Sequence, residues 1–123
     1  MIIIDTDVLI EILDKKSSFG EAALKRIRES MEPSFITSIT LHEILYGQMK
    51  HSKDLNEVLA LPVLSYTKED AKTSALLEVK AESKGKRVSR TDSMIAAIAI
   101  NYGAMLYTNN TKDFNCFEGL TLF

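Results

Sequence analysis

A chain of 123 residues, 46% hydrophobic and 26% charged, has the size and balance of one globular domain that buries a core without disulfides or a structural metal. That composition excludes disorder, and the net charge of −2 argues against a broadly basic nucleic-acid binder, although a local basic surface can still flank an acidic site. No stretch is long and uncharged enough to cross a bilayer, and no basic leader with a long apolar run precedes the first strand. The lone Cys116 has no internal partner, so a reducing, cytoplasmic setting is the expectation, with one domain over residues 1–123.

Ile2-Ile3-Ile4 is a run of β-branched residues without alternation, which predicts a strand covered on both faces, as in the middle of a parallel sheet. Asp5 falls where that strand stops, and Thr6 and Asp7 start a helix carried by Val8, Leu9, Ile12 and Leu13. A second helix is expected from Phe19 to Met31, then a strand at Ser34–Thr37 after Pro33. The third helix opens over Ser38–Glu43 and runs to about Lys50, with Thr40 and Glu43 at capping-box spacing. Asp54 to Leu59 reads as a short helical turn and Leu61–Ser65 as a third strand. A long helix follows from Thr67 to near Gly85, with Ala71, Ala75, Leu76 and Val79 as its apolar face.

Gly85–Arg90 is a basic loop, and Asp92 opens a helix through Ile100 that is apolar nearly all round and should be buried. Met105–Tyr107 is the fourth strand, Thr108–Phe114 a loop and Leu120–Phe123 a closing strand. Strands alternating with helices predict a three-layer α/β/α domain around a central, mainly parallel sheet of about five strands.

Asp5 follows strand one, Glu43 lies in the first turn of the helix after strand two, and Asp113 lies in the loop after strand four. Asp92 opens the helix that leads into strand four, and joins the others if that helix lies over the same sheet edge. Each acid alone has an ordinary explanation as a cap or turn residue. Carboxylates gathered at one end of one sheet repel unless a proton or a cation neutralises them. With no Cys cluster, and with His42 and His51 lacking partners at ligand spacing, an all-carboxylate group points to a hard divalent ion such as Mg²⁺ or Mn²⁺ and to phosphoryl transfer.

Four segments carry a family resemblance: Asp5-Thr6-Asp7-Val8-Leu9-Ile10, Thr40–Gly47, Asp92-Ser93-Met94-Ile95-Ala96-Ala97, and Leu106–Phe114. In this order and spacing they resemble the PIN-domain ribonucleases over essentially the whole chain, and within them the VapC-like toxins of type II toxin–antitoxin pairs. The resemblance implies a Mg²⁺- or Mn²⁺-dependent endoribonuclease in which Asp5, Glu43 and Asp92 hold metal and Thr108 steadies the cluster, with Thr6 and Asp7 in support. It also implies a homodimer and a small antitoxin that covers the active-site groove. Exposed-looking apolar residues such as Phe19, Leu45 and Tyr46 fit a dimer.

Two features depart from the family pattern. Asp7 stands where Asn or a small polar residue is usual, and Asn110 fills one common position of the fourth acid, leaving Asp113 as the candidate. Lys84, Lys86, Arg87 and Arg90 precede Asp92 closely enough to be candidates for holding RNA phosphates. Two other readings fit less of the chain. A haloacid-dehalogenase-like phosphatase would use Asp5 and Asp7 as its Asp-x-Asp pair, but no adjacent late acids follow near Thr108–Asp113. A non-catalytic or RNA-processing PIN protein would be favoured by a missing acid, yet Asp5, Glu43 and Asp92 are all present.

Overall fold

The computed structural model describes residues 1–123. Five strands, β1 (Ile2–Ile4), β2 (Ser34–Thr37), β3 (Val63–Leu64), β4 (Met105–Tyr107) and β5 (Thr121–Leu122), form one all-parallel sheet in the order β3-β2-β1-β4-β5. β1 is central, which is why it tolerates three consecutive isoleucines. Ile2 and Ile4 enter the core on one face and Ile3 the core on the other, so the period of two sorts one short strand between two hydrophobic layers.

The first layer holds α1 (Thr6–Leu9), α2 (Ser18–Ser30), α3 (Ser38–Lys50) and α4 (Asn56–Leu59), whose Val8, Leu9, Ala23, Ile27, Ile44 and Val58 pack with Ile2 and Ile4. The second holds α5 (Lys68–Ser83) and α6 (Arg90–Tyr102), with Leu77, Ile95 and Ile98 against Ile3 and Leu106. From β1 the chain steps outward through β2 and β3 with its helices on one face. It then crosses to β4 on the far side of β1 with helices on the other face. The strand order therefore reverses between β1 and β4, and in an open parallel sheet the crevice beyond the carboxyl ends at such a point is where ligands bind.

Several local expectations are corrected. α1 continues as a wide π-helical turn over Ile10–Lys15, and the capping residue Ser17 accepts the Gly20 N–H at 3.0 Å to start α2. Gly20 is required there, because a Cβ would stand 2.1 Å from the Glu11 carbonyl oxygen. Thr111–Phe114 is a short helix, α7, rather than plain loop, anchored by the buried Phe114.

The apolar face expected for α5 is on the wrong side. Leu76 and Val79 are 53% and 62% exposed, whereas Asp70, Ser74, Leu77 and Ala81 are buried. Hydrophobicity misleads because the buried polar groups are partnered. Asp70 closes a capping box with Thr67 and accepts from Asn101 Nδ2 at 2.8 Å, and Ser74 Oγ lies 3.0 Å from Ser93 Oγ. The small residues Ala96, Ala97 and Ala99 of α6 are buried in the core, and α6 packs along α5. No helix is long and apolar enough to cross a membrane.

Candidate active site

The end of β1 delivers the first carboxylate into the crevice. Asp5, 4% exposed, caps α1: Oδ1 accepts the Thr6 N–H at 2.8 Å and Oδ2 accepts the Thr108 hydroxyl at 2.7 Å. Thr108 follows β4, the neighbouring strand, and its Oγ1 also accepts the Asn110 N–H at 3.0 Å. Asp7 ties the same two turns together, with Oδ1 on the Val8 N–H at 2.7 Å and Oδ2 on the Asn109 N–H at 3.0 Å. A carboxylate at position 7 thus clips the β1 turn to the β4 turn.

Glu43 reaches the site from α3, and not as the capping residue its spacing suggests. The cap of α3 lies one turn earlier, at Thr37, which accepts the Thr40 N–H at 3.1 Å. Glu43 is released from capping and its Oε1 accepts the Thr6 hydroxyl at 2.7 Å. Asp92 comes from the first turn of α6. Ser89 caps that helix by accepting the Asp92 N–H at 3.4 Å, so the Asp92 carboxylate is free of that duty.

Asp5, Thr6, Asp7, Ile10, Glu43, Asp92 and Asn110 line one open cavity of about 190 Å³. Burial in that setting pushes the Asp5 carboxyl up from the ordinary 3.8 to about 7, with the charge of Asp7 adding to it and the Thr108 and Thr6 hydrogen bonds opposing it. Burial also pushes Asp92 up to about 6, reinforced by the charges of Asp113, Glu43 and Asp7. The charge of Asp7 thus acts on both Asp5 and Asp92, that of Glu43 acts on Asp92, and that of Asp113 acts on Asp92 from outside the cavity. Asp113 is exposed on α7 and lines a neighbouring recess with Asn109, Asn110, Thr111 and Lys112, whereas Asn110 lines the acid cavity itself.

The donor set is all oxygen, and two of its members hold protons unusually tightly, which is the electrostatic condition a hard divalent cation relieves. As the side chains are placed, no three His, Cys, Asp or Glu groups converge to metal-ligand separation. The carboxylates would have to close on an ion, which a splayed, mutually repelling set does when its charge is neutralised. His42 and His51 are both exposed and outside the cavity.

The matching family model is that of the PIN domain, and it spans residues 2–117. The chain belongs to the PIN domain family. Among similar proteins, the VapC ribonuclease Y4jK of Sinorhizobium fredii is 28% identical, the match covering 93% of this chain and 90% of that protein. The tRNA(fMet)-specific endonuclease VapC of Shigella flexneri is 27% identical over 95% of this chain and 92% of its own. The fold superposes on VapBC2 from Rickettsia felis bound to a promoter DNA fragment with a TM-score of 0.84 at 27% identity, covering 100% and 98% of the two chains. It superposes on DNA-bound VapBC from Salmonella typhimurium with a TM-score of 0.81 at 27% identity, covering 99% and 96%.

For this PIN domain, then, the structure brings together Asp5, Thr6, Asp7, Glu43, Asp92 and Asn110, and keeps Thr108 directly behind Asp5. The basic residues stand apart. Lys84 pairs with Glu118 at 2.9 Å and Arg90 with Glu78 at 3.3 Å, and none of Lys84, Lys86, Arg87 and Arg90 lines the acid cavity. Two contributors escaped sequence reasoning: Thr37, the cap that frees Glu43, and Thr40, whose hydroxyl lies 3.2 Å from that of Thr6. The repeat of Thr37, Thr40 and Glu43 at intervals of three was the available signal.

Proposed function

We propose that this PIN domain is a divalent-metal-dependent endoribonuclease, the toxin of a toxin–antitoxin pair. The observation that carries the reading is the single cavity lined by Asp5, Asp7, Glu43 and Asp92, two of whose carboxyls ionise near neutrality rather than near 4. Asp5, Glu43 and Asp92 would hold Mg²⁺ or Mn²⁺, with Asp113 contributing from the rim. When bound, the ion supplies an activated water and offsets charge developing on the leaving oxygen of the phosphodiester.

The chain's own groups do the positioning. Thr108 and the Thr6 N–H occupy one lone pair on each Asp5 oxygen and so fix the direction in which its remaining lone pairs point. The Thr6 hydroxyl does the same for Glu43. Asp7 holds the β1 and β4 turns together, so that Asn110 stays on the cavity wall. Ser74 meets Ser93 beside Asp92 and fixes the first turn of α6 against α5.

An antitoxin segment is the proposed partner. A cleft of about 220 Å³ between the π turn and α3, lined by Ile10, Leu13, Ile44 and Gln48, shares Ile10 and Glu43 with the acid cavity, so one bound segment would cover both. The names of the related toxins and the toxin–antitoxin complexes among similar structures support this. A homodimer is proposed as well: Phe19 and Tyr46 are 44% and 64% exposed, whereas Leu45, expected to be exposed, is half-buried because it packs against the core, and Leu76, Val79 and Tyr102 add apolar surface on α5 and α6.

The decisive experiment is RNA cleavage by purified protein in Mg²⁺ or Mn²⁺, with and without chelator. Cleavage is expected to require the ion and to be lost in Asp5→Asn, Glu43→Gln and Asp92→Asn. Activity that survives chelation or these substitutions refutes the mechanism.

A further inference from the structure

The cleft between the π turn and α3 carries two features that destabilise the free chain with no gain in packing. Gln48 is 8% exposed, and its Oε1 is the only buried side-chain oxygen or nitrogen without a hydrogen-bond partner. An unpaired buried carbonyl is destabilising, and native folds rarely keep one without a reason. Gly47 stands inside α3, although glycine is the poorest helix former after proline. Unlike Gly20, it is not there to avoid a clash, since a Cβ added at Gly47 has nothing within 4 Å. Both residues line the same cleft of about 220 Å³. A bare stretch of helix beside a carbonyl that lacks a donor is a seat for a flat group that brings a donor with it.

The walls narrow the choice of group. Ile10, Leu13 and Ile44 offer apolar surface, and the polar side chains beside Gln48, His51 apart, are the carboxylates of Asp14 and Glu43. No Lys or Arg lines the cleft, and Lys53, which pairs with Asp14 at 2.7 Å, does not border it. Such a site disfavours an anion and suits a neutral, largely apolar group that carries N–H donors. Ile10 and Glu43 also line the acid cavity, so the occupant lies next to whatever the acids act on. A nucleobase meets each condition. It is flat and uncharged, adenine, cytosine and guanine carry an exocyclic amino group, and the sugar joins it to the phosphodiester.

We propose that this cleft is a nucleobase subsite flanking the acid cavity, in which Gln48 Oε1 accepts the exocyclic amino group and Gly47 lets the ring lie against the α3 backbone. The choice of a base as occupant rests on the endoribonuclease reading of the acid cavity. A small turn about the last side-chain torsion of Gln48, which is soft, presents the oxygen to the cleft that its side chain already lines. Gln48 is then a specificity-determining residue that separates amino-bearing bases from uracil, which has no amino group to give. An antitoxin segment lying over both cavities would exclude the base, so inhibition and base reading meet at one place.

The test needs no RNA cleavage. Adenosine, cytidine and uridine are titrated into the metal-free full chain, and the Gly47 backbone amide and Gln48 side-chain amide are followed by ¹H–¹⁵N NMR. Adenosine and cytidine are expected to shift both signals saturably, and uridine to bind roughly tenfold more weakly because it leaves Gln48 unpaired. Gln48→Leu, read at Gly47, is expected to erase that preference, and Gly47→Ala to weaken all three nucleosides by filling the seat. Both variants are expected to unfold at the same or a higher urea concentration than the parent, because each removes a destabilising feature. Loss of binding in a protein that is no less stable separates a ligand site from a structural role.

No saturable shift with any nucleoside overturns the proposal and leaves the cleft to the antitoxin segment alone. Equal affinity for adenosine and uridine, or a preference that survives Gln48→Leu, overturns the role of Gln48. If adenosine binds as expected while no RNA is cleaved in Mg²⁺ or Mn²⁺, the base subsite stands and the endoribonuclease reading fails.

Discussion

Replacing Asp5 by asparagine tests the electrostatics of the cavity without any substrate. Asp5 ionises at about 7 in the fold against 3.8 ordinarily, so the folded state holds its proton more tightly than the unfolded chain does. Stability from this group is full below about 4 and is lost as pH rises through 7. By pH 8 the loss is about 4 kcal/mol, since each pKa step is worth about 1.36 kcal/mol. Asparagine removes that penalty but weakens the two hydrogen bonds from Thr6 and Thr108, which costs roughly 1–2 kcal/mol. Metal-free Asp5→Asn is therefore expected to be more stable than the parent at pH 8 by about 2 kcal/mol, or roughly 8 °C in Tm. Near pH 4 the order reverses, because the parent carboxyl is then neutral and better hydrogen-bonded. Urea and thermal unfolding in chelator at pH 4, 6 and 8 measure both limits, and added Mn²⁺ is expected to stabilise the parent only. A variant less stable than the parent at every pH refutes the reasoning, for then burial of the Asp5 charge carries no cost.

Asp113→Asn is expected to weaken Mn²⁺-dependent cleavage on the order of tenfold, less than Asp5→Asn, because its carboxylate acts from the exposed rim; a Mn²⁺ titration alongside Asn110→Ala separates the two candidates for the fourth ligand. The same Asp113→Asn change is expected to lower the Asp92 carboxyl from about 6, since Asp113 is the largest charge acting on it, and carboxyl NMR titration reads that directly. Gly20→Ala is expected to destabilise the fold by about 3 kcal/mol or more in chemical denaturation, because the added methyl meets only backbone atoms, the Glu11 carbonyl and the Ile12 nitrogen, with no flexible side chain to give way. Light scattering at micromolar concentration is expected to give a dimer, and Leu76→Glu or Tyr46→Glu identifies which exposed face forms it.

Most of the sheet and the approach of the acids were legible because they depend on short-range rules. Three β-branched isoleucines with no alternation fit a strand buried on both faces, and Asp5 after them falls at the strand end. The sequence of segments resembling PIN-domain ribonucleases agrees with the family match over residues 2–117. What stayed hidden depends on which of two equivalent partners a group chooses. Thr40 and Glu43 have capping-box spacing, as do Thr67 and Asp70, yet only the second pair forms the box, because Thr37 reaches the Thr40 N–H first. The face of α5 was hidden for a related reason. Ser74 and Asp70 look solvent-facing until Ser93 and Asn101 on another helix satisfy them.

These misplacements share a physical origin that bears on the site. A periodicity argument treats a hydroxyl or a carboxylate as a group that seeks water, but at the β1–β4 junction such groups are buried because the turns need donors and acceptors to hold their shape. Asp7 illustrates it: its carboxylate satisfies Val8 and Asn109 backbone N–H groups, and by doing so lends negative charge to both Asp5 and Asp92. An asparagine there would offer a single acceptor oxygen for those two N–H groups and no charge. Holding the turns together and loading the cavity with negative charge are thus one structural act, and the stability that the cavity forfeits above pH 7 is stability that a cation held there, as proposed, would restore by mass action.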